Sequence, residues 1–572
     1  MPNEYDVVII GSGVAGALVA WKLAQAKCQV LLLDAGEKHL EPADRAQFVK
    51  AFTEANNKGK TPSQPYVNPN NSKFAFSPDT TDFKLKTDPP PPSPYYLQEG
   101  PKPFKSQYQR LVGGSTWAWR GNSPRYIPSD FKLKTLYPNL KNAQDWPINY
   151  DDLEPWYCDA EDALGVSGDD KEWNGIFDAY RSRKFPMPKI AQAYGDLQLK
   201  KRLKGLKIDG TEVRFFGNPQ ARNSRKYDGR PACEGNSNCI PICPIQAKYD
   251  ATVHVKKALK LGVELIERAV VTELKLDQAG NIDEVTYKTW PDGTPGSAKG
   301  KIVVLATHAI ETPKILLMSR GGQGIANASG LVGCNLMDHP GGEGAAIMPF
   351  PVYPFNGPQS TSCIDSFRNH KLRGESCAFR LTIGNDGWGR GKHPFDSLKD
   401  LTDRKLFGAE LRDELNHLVT RQLRISYATE QLPDPANRVV LAAEKDGFDI
   451  QRPKISYTVD DYVFNGMKYA QKIIKVLFTE LGTKENEWEF SDVAETTADK
   501  FFSGSAHIMG TTMMGSDPQT SVVDAECRSH DHPNLFIAGG SVFPTGSCTN
   551  PTITLAALSL RVAASIKNQL TP

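Results

Sequence analysis

Residues 4–36 read EYDVVIIGSGVAGALVAWKLAQAKCQVLLLDAG, and this stretch decides the class of fold. Residues 7–10 are a continuous apolar run, the pattern of a strand that is buried on both faces of a sheet, and residues 29–33 are predicted as a second buried strand. Residues 14–26 between them are rich in alanine and leucine and therefore favour a helix. The order strand, helix, strand predicts a β-α-β unit at the start of a mixed α/β (α+β) fold.

Gly11, Gly13 and Gly16 form the spacing G-x-G-x-x-G directly after the first predicted strand. In this motif the first glycine permits a tight turn, the second lets a pyrophosphate approach the backbone, and the third allows close helix–strand packing. Asp34 ends the second strand, 18 residues after Gly16, where a carboxylate can bind a ribose hydroxyl. We therefore predict a dinucleotide site at the helix N-terminus, and the motif alone leaves NAD and FAD both open.

Three later blocks have the composition of further cofactor-binding segments. Residues 110–117 read RLVGGSTW, residues 534–546 place a buried strand before a Gly-Gly turn, and residues 547–552 lead into an Ala/Leu-rich helix. We predict Asn550 as the N-cap of that helix and Pro551 as its first residue, because each residue type is favoured there. A helix start directed at a flavin pyrimidine would stabilise the negative charge of the reduced ring. The candidate cofactor-binding residues in these blocks are Arg110, Gly113, Gly114, Ser115, Thr116, Gly539, Gly540, Asn550 and Thr552.

The charge and hydropathy of the chain argue against two classes of protein. Its 572 residues carry 68 Lys+Arg against 66 Asp+Glu, a net charge of +2, which does not favour binding to nucleic acid. No apolar run reaches the roughly 18 residues that a membrane helix needs. The N-terminus lacks the basic and apolar segments of a secretory signal. We therefore expect a cytoplasmic protein, or one that is exported together with a partner.

Three of the ten cysteines, Cys233, Cys239 and Cys243, lie within eleven residues in the pattern C-x5-C-x3-C-P. They could be free structural thiols, although the polar and glycine residues between them argue against simple burial. A zinc site needs a fourth ligand, and His254 is eleven residues further along the chain. All-thiolate ligation and the terminal Cys-Pro favour an iron–sulfur cluster, and three ligands suit the [3Fe–4S] type.

Residues 507–515 read HIMGTTMMG, and Asn550 is followed by proline. Together with the N-terminal fingerprint and the VGGST loop, these motifs resemble those of the glucose–methanol–choline (GMC) flavoprotein oxidoreductases. The resemblance implies a Rossmann-like FAD-binding domain, a substrate domain built on an antiparallel sheet with helices, and oxidation of an alcohol. It also implies that His507 and Asn550 are catalytic. Because the segment 115–119 has no histidine to tether the flavin, we predict non-covalent FAD.

The cysteine pattern, followed by IQAKY at residues 245–249, resembles more narrowly the catalytic subunits of bacterial FAD-dependent sugar dehydrogenases of the glucose and fructose dehydrogenase type. This resemblance implies oxidation of a hydroxyl of a sugar or polyol, with electrons leaving through the cluster to a cytochrome c-type subunit. It also implies a small export-chaperone subunit and a location at the periplasmic face of the inner membrane.

In the implied reaction, neutral His507 takes the hydroxyl proton while hydride passes to flavin N5, and Asn550 positions the same oxygen. Histidine suits this role because its unperturbed pKa, about 6.5, is close to working pH. We interpret the other nine histidines, His339 included, as structural. Two other functions stay open: an oxygen-using pyranose or alcohol oxidase, and a non-catalytic subunit whose flavin and cluster only relay electrons. An NAD-dependent enzyme is disfavoured by the C-terminal blocks.

The motifs and the composition of the segments between them divide the chain. We predict that the FAD-binding domain comprises residues 1–45, 105–135, 228–340 and 500–572, with the iron–sulfur segment at 228–250. The substrate domain is predicted at residues 345–499, including a long amphipathic helix capped by Asp460. Residues 46–104, with four consecutive prolines at 89–92, are predicted as a loop-rich insertion without helices, and residues 136–227 as a helical and irregular insertion.

Overall fold

The computed structural model describes residues 4–54, 97–99, 104, 106, 108–240, 242–290, 292–387, 394–446, 448–491 and 504–571. The helices are α1 (Val14–Gln25), α2 (Pro42–Glu54), α3 (Leu133–Leu136), α4 (Tyr150–Leu164), α5 (Asp170–Trp173), α6 (Tyr194–Arg202), α7 (Thr252–Lys260), α8 (His308–Met318), α9 (Pro394–Asp403), α10 (Gly408–Arg421), α11 (Asp461–Glu480) and α12 (Thr552–Leu570).

The strands are β1 (Glu4–Ile10), β2 (Val30–Leu33), β3 (Leu97–Glu99), β4 (Ser167–Gly168), β5 (Met187–Pro188), β6 (Lys207–Ile208), β7 (Thr211–Glu212), β8 (Phe215–Gly217), β9 (Glu264–Ile266), β10 (Ala269–Leu276), β11 (Ile282–Thr289), β12 (Thr294–Leu305), β13 (Gly341–Ile347), β14 (Ser362–Ile364), β15 (Phe379–Gly384), β16 (Gln422–Thr429), β17 (Arg438–Lys445), β18 (Gln451–Ser456), β19 (Glu489–Phe490) and β20 (Leu535–Ile537). Shorter 3₁₀ turns cover Gly114–Ala118, Pro128–Phe131, Glu485–Glu487 and Gly540–Val542.

The first large sheet has the strand order β10-β11-β12-β1-β2-β9, with β20 also paired to β12. Its centre is parallel: Val8 of β1 lies opposite Val303 of β12 on one side and Leu31 of β2 on the other. These strands are buried, and α1, α7 and α12 pack together beside them, as continuous apolar runs predict. The predicted β-α-β unit and mixed α/β class are confirmed.

The second large sheet has the order β19-β13-β16-β15-β14-β8 and is antiparallel throughout. Helix α11 packs on β13, β15 and β16. Its predicted cap is present, since the side chain of Asp460 accepts a hydrogen bond from Val463 N at 3.0 Å. The sheet and α11 enclose a second hydrophobic core, separate from the core around the first sheet.

Two predicted segments differ from the structure. The segment predicted to have no helices begins with most of α2, which is held by long-range contacts: Arg45 pairs with Asp250 at 2.6 Å, and Phe48 packs on Trp117. Its other end forms β3, which pairs with β18. Residues 89–92 lie outside the described residues. The insertion predicted at 136–227 contributes β8 to the second sheet, because its two phenylalanines are buried there. The domain boundaries themselves stay predictions.

Among the described residues, no helix is long and apolar enough to cross a membrane.

Candidate functional site

A cavity of about 880 Å³ lies between the two large sheets, within the range of roughly 300–1,000 Å³ that is usual for ligand sites. Most of the predicted site residues line it. Those in its wall are Gly11, Gly13, Asp34, Arg110, Gly114, Ser115, Thr116, His507, Gly539, Gly540, Asn550 and Thr552. Gly16 and Gly113 lie just behind the wall, and the three clustered cysteines lie outside it.

The three fingerprint glycines differ in the space around them. Gly11 has φ +96°, and a Cβ there would lie 2.5 Å from the carbonyl oxygen of Ala306. A Cβ on Gly16 would lie 1.8 Å from the Gly11 oxygen, so only glycine lets α1 pack this closely. A Cβ on Gly13, in contrast, would meet nothing within 4 Å in the described part of the chain. This open space at the N-terminus of α1 fits a pyrophosphate.

Asp34 lies in the same wall, where it accepts hydrogen bonds from its neighbours. Its Oδ2 accepts from Ser12 N at 2.8 Å and from Ser12 Oγ at 2.5 Å, and its Oδ1 accepts from Gly36 N at 2.7 Å. Burial raises the pKa of the carboxyl, and these hydrogen bonds oppose that shift. Each carboxylate oxygen has more than one lone pair, so Asp34 can also accept from a ribose hydroxyl.

The second glycine-rich loop lies against the fingerprint. Gly113, with φ +97°, precedes the 3₁₀ turn Gly114–Ala118 and donates to Ser12 Oγ at 3.2 Å. A Cβ on Gly114 would lie 3.1 Å from Gly13 Cα, so the two loops approach at their backbones. The two glycine-rich loops therefore form one continuous part of the cavity wall.

His308, which the sequence did not single out, also lines the cavity. It begins α8 with φ +75° and stacks on Tyr108, with ring centroids 4.3 Å apart. Desolvation lowers the pKa of His308 to about 4, and its buried Nδ1 has no partner among the described residues. Glu311, one turn later on α8, accepts from Arg110 Nη2 at 2.6 Å. His308 is therefore part of the cavity wall, and its interpretation as structural stays a prediction.

At the other end of the cavity, four side chains form a continuous hydrogen-bonded chain. Arg380 Nη1 donates to Asn550 Oδ1 at 3.1 Å. Arginine can only donate, so the Asn550 amide must turn its nitrogen toward His507 Nε2, 3.1 Å away. His507 Nε2 is therefore an acceptor, and the neutral ring carries its proton on Nδ1. This proton faces His339 Nδ1 at 2.9 Å.

The electrostatics of this end keep both imidazoles neutral. Desolvation lowers the pKa of His507 to about 4, and the nearby Arg380 guanidinium adds to the effect. Burial holds the pKa of His339 well below its usual range, and His507 contributes in the same direction. The Nε2 lone pair of neutral His507 now accepts from the Asn550 amide, and it can accept a proton from a hydroxyl group that takes the place of that amide.

One expectation is corrected at this end. Helix α12 begins at Thr552 with Pro551 at the N-cap position, so Asn550 does not cap it. The Asn550 side chain is instead engaged by Arg380 and His507. His339 contacts the ring of His507, and its interpretation as structural stays a prediction.

Asp338 fixes the backbone around the two histidines. Its Oδ1 accepts from His339 N at 2.6 Å and from His507 N at 2.9 Å, and its Oδ2 accepts from Ser106 Oγ at 2.5 Å. Met337 and Met509 form a backbone bridge beside it. The contact with His507 and the Met337–Met509 bridge join segments about 170 residues apart, and no local sequence pattern could have indicated them.

The cysteine segment lies beside the cavity without forming a closed metal site. Cys239 and Cys243 are buried, Cys233 is half-buried, and all three are free thiols. Burial raises the pKa of Cys233, and Cys239 and Cys243 add to the shift. Among the described residues, no three potential ligands are arranged to hold a metal ion. Ile240, next to Cys239, lines the cavity.

His254, the candidate fourth zinc ligand, is fully buried, and its Nδ1 lies 2.8 Å from the hydroxyl of Tyr249. Its ring also packs against Trp21, with centroids 4.6 Å apart. His254 is thus a core residue with a hydrogen-bond partner.

Comparison with known proteins agrees with this architecture. Residues 210–341 and 433–559 match models of GMC oxidoreductases, and residues 9–39 match an NAD(P)-binding Rossmann-like domain. The fructose dehydrogenase large subunit of Gluconobacter japonicus is 36% identical over 100% of this chain and 99% of its own length. The 2-methyl-1,2-propanediol dehydrogenase of Mycolicibacterium austroafricanum is 26% identical over 99% and 96%. The pyridoxine 4-oxidase of Mesorbium loti shares the fold, with a TM-score of 0.59 and 17% identity over 98% and 99%.

Proposed function

This chain belongs to the GMC oxidoreductase family, and we propose that it oxidises a hydroxyl group of a sugar or related polyol with non-covalently bound FAD and delivers the electrons to a partner protein. Its dehydrogenase relatives support a flavin-dependent sugar or alcohol dehydrogenase. The observation that carries the finer proposal is the His507–Asn550 pair, whose neutral Nε2 acceptor faces the same cavity as the nucleotide fingerprint.

The residues present fit FAD. Gly13 and Gly539 leave open space beside the backbone, in which a Cβ would meet nothing within 4 Å in the described part of the chain. Asp34 would hold the ribose, and the unpartnered Nδ1 of His308 offers a further polar contact. When bound, FAD supplies a ring that accepts two electrons from the substrate.

We propose that His507 Nε2 accepts the substrate hydroxyl proton. Asn550 Nδ2, which now donates to His507, would donate to the same substrate oxygen and hold it in place. Arg380 keeps the amide in this orientation. Asp338 holds the backbone of His507 and His339 contacts its ring, so that the acceptor nitrogen of His507 faces the cavity before the substrate arrives.

The base assignment is tested by His507→Ala, with His417→Ala on the exposed face of α10 as the matched control. Under anaerobic conditions we expect the first variant to keep FAD and to lose roughly 10²–10⁴-fold in the rate of flavin reduction by substrate. The substrates tested are a panel of neutral aldoses, ketoses, polyols and glycosides, with a dye as the electron acceptor for turnover. Undiminished reduction in His507→Ala would reject the base, and no reduction of the wild-type flavin by any of them would reject the substrate class.

We further propose that the cysteine segment holds a [3Fe–4S] cluster on Cys233, Cys239 and Cys243. The support is chemical: the segment carries three free thiols within eleven residues, and Ile240, next to Cys239, borders the proposed flavin cavity. The ligands are not arranged around a common centre, so cluster insertion would have to reorganise the segment. Purified protein should contain roughly three iron and four sulfide per chain.

The test variant is Cys239→Ser. The matched control is Cys28→Ser, because Cys28 is a free, partly buried cysteine that packs against the core around the first sheet. We expect only Cys239→Ser to lose iron and sulfide while it retains FAD. Zinc without sulfide in the wild-type protein would contradict the cluster.

We propose that the electron acceptor is a cytochrome c-type subunit and that a small subunit carries the chain to the periplasmic face of the inner membrane. The support is that a 36% identical relative is named a large subunit. Co-expression with candidate neighbours followed by pull-down tests both partners.

Fast reoxidation of the flavin by air with formation of hydrogen peroxide would favour an oxidase instead, and a flavin that no alcohol reduces would favour an electron-relay subunit.

A further inference from the structure

The second large sheet presents one continuous row of polar side chains to the cavity. Glu343 of β13 lies opposite Ser426 of β16, and Ser426 lies opposite Thr382 of β15. All three line the cavity, and Ser426 and Thr382 are half-buried. Because directly opposed residues of neighbouring strands share one face, the carboxylate and the two hydroxyls stand side by side.

The position of this polar row relative to the reacting end follows from the strand register. The adjacent row consists of Gly341, Ala428 and Arg380, two residues along the same strands. Arg380 contacts Asn550, so this adjacent row lies at the catalytic pair. Two residues along a strand correspond to about 7 Å. A substrate with one hydroxyl at His507 and further hydroxyls along its carbon chain or ring would therefore reach the polar row.

Glu343 is held so that it can act as an acceptor in the cavity. Its Oε2 accepts from Arg424 Nη1 at 2.9 Å, yet 45% of its side chain is exposed. Arg424 is itself buried and is fixed by Asp386 Oδ1 at 2.7 Å. The carboxylate is therefore anchored at one oxygen by a rigid partner, and the exposed remainder can accept from a ligand hydroxyl.

We propose that Glu343, Ser426 and Thr382 form a hydroxyl-recognition subsite that binds hydroxyl groups of the substrate away from the carbon that is oxidised. The subsite selects uncharged polyhydroxylated substrates over simple alcohols, because a carboxylate that accepts a hydroxyl hydrogen bond is left poorly paired when that hydroxyl is missing. This inference rests on the proposed function and assigns the part of the cavity that sets specificity.

The test compares Glu343→Gln with Glu444→Gln, an exposed glutamate on β17 that is outside the cavity wall. The side-chain oxygen of glutamine can still accept a hydrogen bond from Arg424, and the contact between Arg424 and Asp386 is unchanged. The variant is therefore expected to fold. KM and kcat are measured with the best polyol of the substrate panel and with its monodeoxy analogues. In Glu343→Gln we expect KM for the parent polyol to rise roughly ten-fold or more at nearly unchanged kcat.

The deoxy analogues identify the contacted hydroxyl. With at least one deoxy analogue, the wild-type enzyme should have a higher KM than with the parent polyol. In Glu343→Gln, the KM for that analogue should equal the KM for the parent polyol. Ser426→Ala and Thr382→Val provide independent variants of the same row and should raise KM in the same way. Equal KM for wild type and all three variants would overturn the subsite while leaving the proposed function intact. A wild-type flavin that no polyol reduces would defeat the proposed function itself.

Discussion

His339 is expected to act through His507, because its Nδ1 is the acceptor for the proton on His507 Nδ1. In His339→Leu this acceptor is lost, so the catalytic ring is free to turn or change tautomer, and we expect kcat to fall roughly 10–100-fold with FAD still bound. In His339→Asn the amide oxygen can replace the ring nitrogen as acceptor, and most of the activity should remain. The measurement is the rate of flavin reduction in stopped flow for each variant.

The pH dependence provides a second measure of the same contact. The pKa of His507 is lowered to about 4, so the wild-type base stays neutral at neutral pH and kcat/KM should fall only as the pH drops through about 4. His339→Asn should keep this acid limb. An acid limb near pH 6.5 in the wild-type enzyme would contradict the desolvated environment of His507, and equal rates for the two His339 variants would contradict its role as acceptor.

At the scale of elements, two glycines at the start of α1 are expected to affect different properties: Gly16 the packing of the helix, and Gly13 the binding of the cofactor. In Gly16→Ala the new Cβ would lie 1.8 Å from the Gly11 oxygen, so we expect destabilisation of about 3 kcal/mol or more. In Gly13→Ala the methyl group enters open space, so the stability of the FAD-free protein should change little. The same methyl group occupies the space proposed for the pyrophosphate, and FAD affinity should fall about ten-fold or more.

Urea unfolding of the FAD-free proteins and FAD titration separate these effects. A Gly13→Ala protein that binds FAD as tightly as the wild type would show that the phosphate does not lie at this turn. A Gly16→Ala protein of unchanged stability would show that α1 can move away from β1.

The elements that the sequence predicted well are those whose determinants are local. The β-α-β unit and the Asp460 cap depend on neighbouring residues, so their patterns sufficed. The Asn550 cap was predicted wrongly because Arg380, 170 residues away, engages the amide that would otherwise cap α12. The role of His339 depends on His507, 168 residues away, and likewise had no local signal. Motif resemblance singled out His507 and Asn550, which line one cavity, whereas their contacts with Arg380 and His339 could be seen only in the fold.

For the molecule as a whole, the cavity joins two units with separate cores, since its wall combines the fingerprint of the first sheet with Arg380 and Glu343 of the second. A cofactor that fills this cavity would bind the folded chain and not the unfolded one. Re-addition of FAD at about 100 times its Kd should therefore stabilise the FAD-free protein by about 2.7 kcal/mol.

This linkage predicts that removal of FAD lowers the Tm, that re-addition restores it in a saturable way, and that Gly13→Ala needs more FAD for the same rise. Differential scanning fluorimetry over a series of FAD concentrations measures the Tm. Riboflavin is the control, because it lacks the pyrophosphate and adenosine that the fingerprint would hold. If riboflavin raised the Tm as much as FAD, the nucleotide end of the cavity would contribute nothing to binding. If neither changed the Tm, the cavity would not be a flavin site.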